Sequence, residues 1–98
     1  MKIQKKQENN KLTLTLEGRL DTMTAPDLEV CLKSTLEGIS DLTFDMTELE
    51  YISSAGLRVL LAAQKKMNRQ GSMKLTGVSE TVMEIFDITG FADILTIE

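Results

Sequence analysis

The chain has 98 residues, a length that suits one domain able to bury its own core, and its 42% apolar and 27% charged residues are typical of a folded protein. The net charge of −4 and the absence of a basic run argue against nucleic acid as a partner. No apolar stretch approaches the roughly 18 residues of a membrane helix, so no membrane association is expected.

Histidine is absent from the sequence, and cysteine occurs once, at Cys31. Without histidine there is no Ser-His-Asp triad, and a lone cysteine adds no usual zinc site. A single cysteine also excludes an internal disulfide, which indicates a reducing compartment. Since the N-terminus lacks the apolar segment of a signal peptide, we expect a cytoplasmic protein without metal or cofactor.

The first predicted elements form a β-hairpin. Leucines alternate with polar residues over 11–18, which is typical of a half-buried strand. Residues 1–7 are expected to pair with it as an edge strand, through a turn at Asn9 and Asn10. The lysines of this segment suit an exposed sheet edge.

A helix is predicted over 24–38. Thr24 is its expected N-cap, with Asp27 placed to reach back to the cap N–H. Gly38 is expected to supply the left-handed residue after the helix. Apolar and polar residues alternate again over 41–47, which predicts a second core strand.

A second helix is predicted from Ser53 or Ser54 to about Asn68, with Gly71 just beyond it. A short strand is expected to follow over 72–78.

The last predicted elements are a third helix, capped by Ser79 and ended by Gly90, and a closing strand over 92–98. Alternation of strands and helices with short connections indicates a largely parallel sheet, and the N-terminal hairpin makes it mixed. The sequence therefore predicts a small α/β domain with helices packed against the sheet.

Two serines and a glycine stand at the second strand-to-helix junction, in the stretch YISSAGLRVLL (51–61). One serine is expected to cap the helix, a contribution of about 1 kcal/mol. Gly56 in the first turn costs roughly 1 kcal/mol relative to alanine. We interpret it as a residue that keeps the surface open for a close approach to the backbone.

A catalytic serine is disfavoured at this junction. The stretch SSAG lacks the first glycine of G-x-S-x-G, and no histidine is present to act as a base. Lys65 and Lys66 lie about three turns down the helix, roughly 16 Å away along its axis. We therefore expect a protein that is not an enzyme.

A third role for the serines is to accept a phosphate. A phosphoserine at a helix N-terminus faces the first-turn N–H groups and the positive end of the helix dipole. Arg58 lies four residues after Ser54, in a position to lean back toward it. The phosphate adds nearly two negative charges, so an interface built on the neutral serine would lose its partner. Physical reasoning alone does not separate Ser53 from Ser54.

Three stretches of the chain resemble a STAS domain of the anti-sigma factor antagonist type: LEGRLD (16–21), FDMTELEYISSAGLRVLL (44–61) and GVSETVMEIFDITGFADIL (77–95). They are similar, in order, to the family's G-x-L-D turn, its core around the phosphorylated serine, and its last helix and strand. Together they imply one STAS domain over 1–98.

The resemblance implies a bacterial partner-switching protein that regulates transcription. In this family the unphosphorylated domain binds an anti-sigma factor, which is also a serine kinase of the GHKL type, and so releases a sigma factor. Phosphorylation by that kinase breaks the complex, and a PP2C-type phosphatase restores it.

The resemblance also implies the site. The family's phospho-acceptor, two positions before the Gly-Leu pair, matches Ser54. Ser53 is the alternative, and it stands where the family commonly has an aspartate. Asp21 matches the aspartate of the G-x-L-D turn at the partner surface, or serves only as a turn residue. The expected partner-facing residues are Asp21, Thr22, Thr24, Ser53, Ser54 and Arg58.

Other roles remain open at this point. A non-switching scaffold subunit of a sensor or lipid-transport complex is the main alternative. Nucleotide binding by the domain is disfavoured, because no stretch has Walker spacing. The chain stops soon after its predicted last strand, so the longer C-terminal helix of some members is expected to be absent. The sigma factor, the kinase and the oligomeric state are not specified by the sequence.

Overall fold

The computed structural model describes all residues from 1 to 98. The chain alternates strands and helices, and their bounds are β1 (Lys2–Glu8), β2 (Lys11–Leu20), α1 (Ala25–Thr35), β3 (Asp41–Ile52), α2 (Ser54–Gln70), β4 (Ser72–Thr76), α3 (Glu80–Thr89) and a short 3₁₀ turn (Phe91–Asp93). No helix is both long enough and apolar enough to cross a membrane.

The four strands form one mixed sheet in the order β1-β2-β3-β4. Strands β1 and β2 pair antiparallel, whereas β3 pairs parallel with both β2 and β4. Asn9 takes a left-handed φ of 56° in the hairpin turn, as its side chain permits. The predicted mixed, mostly parallel α/β sheet is therefore confirmed.

One face of the sheet is apolar and buried, and the other is polar and half-buried. The alternation in β2 sends its leucines to one side, where the register aligns them with apolar residues of β3 and β4. Thr13, Thr15 and Thr43 lie on the opposite side. The helices cover the apolar side and complete a cluster of 24 buried residues. Burying one such leucine contributes about 1.5–3 kcal/mol.

Strand β3 is longer than the predicted 41–47, and its extension matters for the site. Two register shifts between β2 and β3, one between Thr15 and Glu17 and one at Gly18/Arg19, keep the strands paired up to Leu20 and Ile52. Such irregularities let paired strands of unequal length end together. As a result, the segments that follow β2 and β3 leave the sheet side by side.

The first helix is shorter than the predicted 24–38. It ends at Thr35 with Leu36 as its C-cap, so Gly38, although left-handed at φ 80°, lies in the following loop rather than directly after the helix. Leu28, Leu32 and Leu36 are buried, as its apolar periodicity predicts.

The third helix agrees with the prediction at both ends. The Ser79 hydroxyl accepts a hydrogen bond from the Val82 N–H at 3.3 Å, and Gly90 follows with φ 81°. Strand β4, in contrast, ends at Thr76 rather than residue 78, because Gly77 turns the chain with φ 68°.

The predicted last strand over 92–98 is wrong for most of its length. The N–H groups of Ile94 and Leu95 both donate to the Phe91 carbonyl, so a tight turn uses donors that a strand would need. Only one parallel bridge, between Leu75 and Ile97, joins this segment to β4.

Candidate functional site

Two strand-to-helix connections lie next to each other at one edge of the sheet. We call residues 21–24, between β2 and α1, the Asp21 turn, and we call Ser53 and Ser54, between β3 and α2, the serine joint. The Ser53 N–H donates to the Leu20 carbonyl at 2.9 Å, which ties the start of one connection to the other. Parallel pairing of β2 and β3 thus brings together residues more than thirty positions apart in the chain.

The Asp21 turn is held by its own side chains. The Asp21 carboxylate accepts hydrogen bonds from the N–H groups of Met23 at 3.0 Å and Thr24 at 3.2 Å. The Thr24 hydroxyl donates to the Arg19 carbonyl at 2.8 Å and accepts from the Asp21 N–H at 2.9 Å. These bonds fix the backbone that leads into α1.

Thr24 is the N-cap residue of α1, as predicted, but the expected capping by its side chain is wrong. Thr24 occupies the N-cap position, but its backbone is already in the helical region and its side chain makes no capping hydrogen bond. Its hydroxyl is engaged with the turn that precedes it, and the Asp21 carbonyl accepts the Ala25 N–H at 2.8 Å. Asp21, rather than Asp27, supplies the carboxylate that accepts backbone N–H groups here.

The same contacts determine the charge state of Asp21. Desolvation acts to raise the pKa of the carboxyl, but hydrogen bonds from Met23 and Thr24 and the nearby Arg19 guanidinium outweigh it and lower the pKa below the ordinary value of 3.8. Asp21 is therefore an anion at neutral pH.

Arg19 links the Asp21 turn to β3. Its guanidinium stacks over the Tyr51 ring, 4.4 Å from the ring centroid, and its Nε lies 3.7 Å from the Asp21 carboxylate. The parallel pairing of β2 with β3 places Arg19 opposite Tyr51. This stack is worth about 0.5–1 kcal/mol at an exposed site.

The two serines of the joint have different environments. Ser53 is the N-cap residue of α2 with an extended backbone, yet its side chain makes no capping bond, and its Oγ is enclosed without a hydrogen-bond partner. Ser54 is the first helical residue and is exposed. The expectation that one of the serines caps the helix through its side chain is therefore wrong.

The interpretation of Gly56 is also wrong. It is buried rather than open to solvent. A Cβ at this position would lie 2.6 Å from Leu20 Cγ, 2.9 Å from Ile52 Cγ1 and 3.0 Å from the Leu20 carbonyl oxygen. Glycine is needed because the first turn of α2 packs directly on the ends of β2 and β3.

Thr22, in the Asp21 turn, and Arg58, in α2, line one cleft of about 230 Å³. Arg58 is exposed and forms no ion pair with any carboxylate of the chain. Met23, in the Asp21 turn, is 83% exposed and adds apolar surface to this edge. These residues give the edge a mixed polar and apolar surface.

The structure places the six predicted site residues at this one edge. Asp21 and Thr24 share hydrogen bonds, Ser53 is tied to Leu20, and Thr22 and Arg58 share a cleft. Sequence reasoning missed Arg19, Tyr51 and Met23. Met23 could have been noticed in the sequence, because it is a large apolar residue between two threonines. The Arg19–Tyr51 stack could not, because it depends on the pairing of β2 with β3 after two register shifts.

The structure contains no cluster of three or more histidine, cysteine, aspartate or glutamate side chains that could hold a metal ion.

The sequence profile of the STAS domain matches residues 2–98. The chain belongs to the STAS domain family. This STAS domain is 36% identical over 93 residues to the anti-sigma-B factor antagonist of Bacillus subtilis, with 94% of the chain and 85% of that protein covered. It is 34% identical over 97 residues to the anti-sigma-B factor antagonist of Listeria monocytogenes, covering 96% and 84% respectively. The predicted family is confirmed.

The fold of this STAS domain is similar to that of the anti-sigma factor antagonist SpoIIAA. The unphosphorylated form of SpoIIAA aligns with a TM-score of 0.78 at 15% identity, covering 99% of this chain and 87% of SpoIIAA. The phosphorylated form of this Bacillus cell fate determinant aligns with a TM-score of 0.76 at 15% identity, covering 99% and 91%. At 15% sequence identity, this structural similarity shows a shared fold alone.

Proposed function

We propose that this STAS domain is an anti-sigma factor antagonist that switches partners through reversible phosphorylation of Ser54. In the proposed cycle the unphosphorylated chain binds an anti-sigma factor and so frees a sigma factor for transcription. The anti-sigma factor is a GHKL-type serine kinase that phosphorylates Ser54, and a PP2C-type phosphatase reverses the reaction. The chain itself is a substrate and performs no chemistry.

The difference in exposure between the two serines carries this proposal. A kinase must bring the hydroxyl oxygen in line with the γ-phosphate of ATP, so the hydroxyl has to be accessible. Ser54 is exposed at the start of α2, whereas the Ser53 oxygen is enclosed beneath the surface. Family register and accessibility both favour Ser54 over Ser53.

The helix N-terminus is suited to tolerate the phosphate. The first turn of α2 contains no acidic residue, and no side chain caps it. Its N–H groups and the positive end of the helix dipole favour a dianion at this position. Phosphorylation is therefore expected to leave the fold intact and to change the surface by nearly two charges.

The surface around Ser54 supports a partner interface. The Asp21 turn is fixed by internal hydrogen bonds, so it presents Thr22 and Met23 without a large loss of conformational entropy on binding. Arg58 and Asp21 provide charges of opposite sign within the same edge. An anionic phosphate placed among these contacts would repel acidic groups of a partner and leave polar groups unpaired.

We place this reaction in the cytoplasm, because a single unpaired cysteine suits a reducing compartment. A non-switching scaffold role remains the rival function. It predicts that partner binding does not depend on the charge at Ser54.

The proposal is tested by measuring the Kd of the anti-sigma factor for the wild-type chain, S54A and S54D by calorimetry. S54D is expected to weaken binding by about 100-fold or more, because a like charge in an interface costs several kcal/mol. S54A is expected to bind within about threefold of wild type, since it keeps the surface neutral.

The variant N9D is the matched control, because it adds one negative charge at the opposite end of β2. Asparagine and aspartate both tolerate the left-handed backbone found at Asn9, so the turn is preserved. Binding of S54D as tight as that of wild type would show that Ser54 is not the switch.

A further inference from the structure

A groove runs along the seam between α1 and α2, starting between Thr22 of the Asp21 turn and Ala55 in the first turn of α2. Its first part is the cleft that contains Thr22 and Arg58, and its second part is a cleft of about 230 Å³. Glu29 and Val59 line both parts, so the two parts adjoin. The floor of the second part is apolar and consists of Leu32, Leu36, Val59 and Ala63.

The far end of this α1–α2 groove opens onto a third, wider cleft of about 480 Å³ beside Lys65 and Arg69. Ala62 and Lys66 belong to both the second and the third part. Gln70 lines this third cleft, and its Nε2 donates to the carbonyls of Leu36 at 2.7 Å and Ile39 at 2.6 Å. These two hydrogen bonds hold the C-terminal end of α2 to the segment that follows α1.

The charge of the groove is opposite to that of the protein. The whole chain carries −4, yet α2 contains no acidic residue and four basic ones. These four side chains, Arg58, Lys65, Lys66 and Arg69, form no ion pair with any carboxylate of the chain. The one ion pair at the groove joins Lys33 to Glu29, 3.5 Å apart on α1.

We propose that the α1–α2 groove binds an acidic, amphipathic segment of a protein partner. Apolar side chains of the segment lie on the floor, and its carboxylates contact Lys65, Lys66 and Arg69 at the far end. Assigning the segment to the anti-sigma factor rests on the proposed function, whereas the binding of an acidic segment in the groove is independent of it.

The chemistry of the groove favours a protein segment over a polyanion such as nucleic acid. The floor is aliphatic, and no aromatic residue lines any part of the groove for a base to stack on. The net charge of −4 repels an extended polyanion but tolerates a short acidic segment seated among unpaired cations.

The basic end of the groove is too far from Ser54 to respond to its phosphate. Lys65 lies three turns along α2, roughly 16 Å from Ser54. This is about twice the Debye length at physiological ionic strength, which is about 8 Å. The groove therefore gives the partner a contact that persists in both phosphorylation states, and it leaves the switching to the serine joint.

The test uses the ¹⁵N-labelled chain and a synthetic 16-residue peptide that places leucines on one helical face and glutamates on the other. Amide shifts over α1 and α2 are expected to change on titration with this peptide, and the same peptide with lysines in place of glutamates is expected to leave them unchanged. The variant K65Q/K66Q/R69Q is expected to weaken binding roughly tenfold. The control K5Q/K6Q/K11Q removes the same charge from the β1–β2 hairpin and is expected to bind as wild type does.

Several results would overturn the proposal. Equal binding of the glutamate peptide to both variants, or no shifts at all, would contradict it. Shifts of the groove amides caused by duplex DNA or anionic vesicles but not by the peptide would make the groove a polyanion site. Shifts that depend on protein concentration alone would make the occupant a second copy of the chain.

A second measurement separates this inference from the proposed function. The association rate constant of the anti-sigma factor is expected to fall roughly tenfold for K65Q/K66Q/R69Q and to lose most of its salt dependence, both for the wild-type chain and for S54D. If the peptide binds but the anti-sigma factor does not, the result supports the groove as a binding site and contradicts the proposed function. An unchanged association rate would refute the groove as a contact for that partner.

Discussion

The Asp21 turn and the serine joint occupy equivalent places, since each connects the end of a parallel strand to a helix. In the Asp21 turn, one carboxylate and one hydroxyl satisfy the local N–H and carbonyl groups. At the serine joint, no side chain caps the helix, one hydroxyl is enclosed without a partner, and the other is exposed. The first connection is held by its own hydrogen bonds, and the second leaves the Ser54 side chain exposed.

The difference has a physical consequence for switching. Groups that are already hydrogen-bonded gain little from a new charge nearby, whereas uncapped first-turn N–H groups gain a strong acceptor when a phosphate arrives. The proposed phosphate on Ser54 would therefore find hydrogen-bond donors within the helix and change the surface without breaking the Asp21 turn.

Replacing Gly56 by alanine is expected to have the largest effect on stability, because the two connections are held together at this residue. The new methyl group would clash with Leu20 and Ile52, which we expect to reduce the free energy of unfolding by about 1–3 kcal/mol. This is the reverse of the usual gain of about 1 kcal/mol when alanine replaces glycine in a helix. Urea unfolding measures the change.

The control for Gly56 is G38A. A Cβ at Gly38 meets no atom within 4 Å, so only its left-handed backbone opposes the substitution. We expect G38A to cost about 1 kcal/mol. A G56A variant at least as stable as wild type would show that the helix start is not tightly packed on the strands.

Removing one hydroxyl from each connection is expected to change stability in opposite directions. T24A loses two hydrogen bonds of the Asp21 turn, so its free energy of unfolding should fall by about 1–2 kcal/mol. T24S keeps the hydroxyl and should restore most of that loss. S53A removes an enclosed hydroxyl that has no hydrogen-bond partner, so its free energy of unfolding should rise by up to about 1 kcal/mol. Thermal unfolding of the three variants at one pH tests both signs. A loss of stability in S53A would mean that its hydroxyl is bonded after all.

The smallest expected effect is the pH dependence contributed by Asp21. Its pKa is lower in the folded protein than the ordinary 3.8, so the carboxylate stabilises the fold above that value, and the stabilisation is lost as the pH falls through the folded-state pKa. The difference in unfolding free energy between wild type and D21N should therefore be constant near neutral pH and shrink below pH 3.8. A difference that does not vary with pH would mean that the charge of Asp21 contributes nothing.

Much of the fold follows from local patterns in the sequence. Alternating leucines predicted β2, the alternation of Leu42, Phe44 and Met46 predicted the start of β3, and Asn9 and Asn10 predicted the hairpin turn. The closing strand was wrong because its alternation is short and a turn at Phe91 takes up its N–H groups. Such competition between local hydrogen bonds and sheet pairing is not encoded in the alternation itself.

The six residues predicted for the site lie near one another at one edge of the sheet, but their local contacts could not be predicted. The environments of Thr24, Ser53 and Gly56 depend on contacts with other parts of the chain. Gly56 meets Leu20 only because β2 and β3 end together, and that depends on register shifts within the sheet. The Arg19–Tyr51 stack was missed for the same reason.

The most direct test of the account is to map the phosphate by mass spectrometry after incubating the chain with the proposed anti-sigma kinase and ATP, using wild type, S53A and S54A. We predict phosphate on Ser54 in wild type and in S53A, and none in S54A. Phosphate on Ser53 in the wild-type chain, or phosphorylation of S54A at the wild-type rate, would contradict the claim that the exposed serine of the joint is the switch.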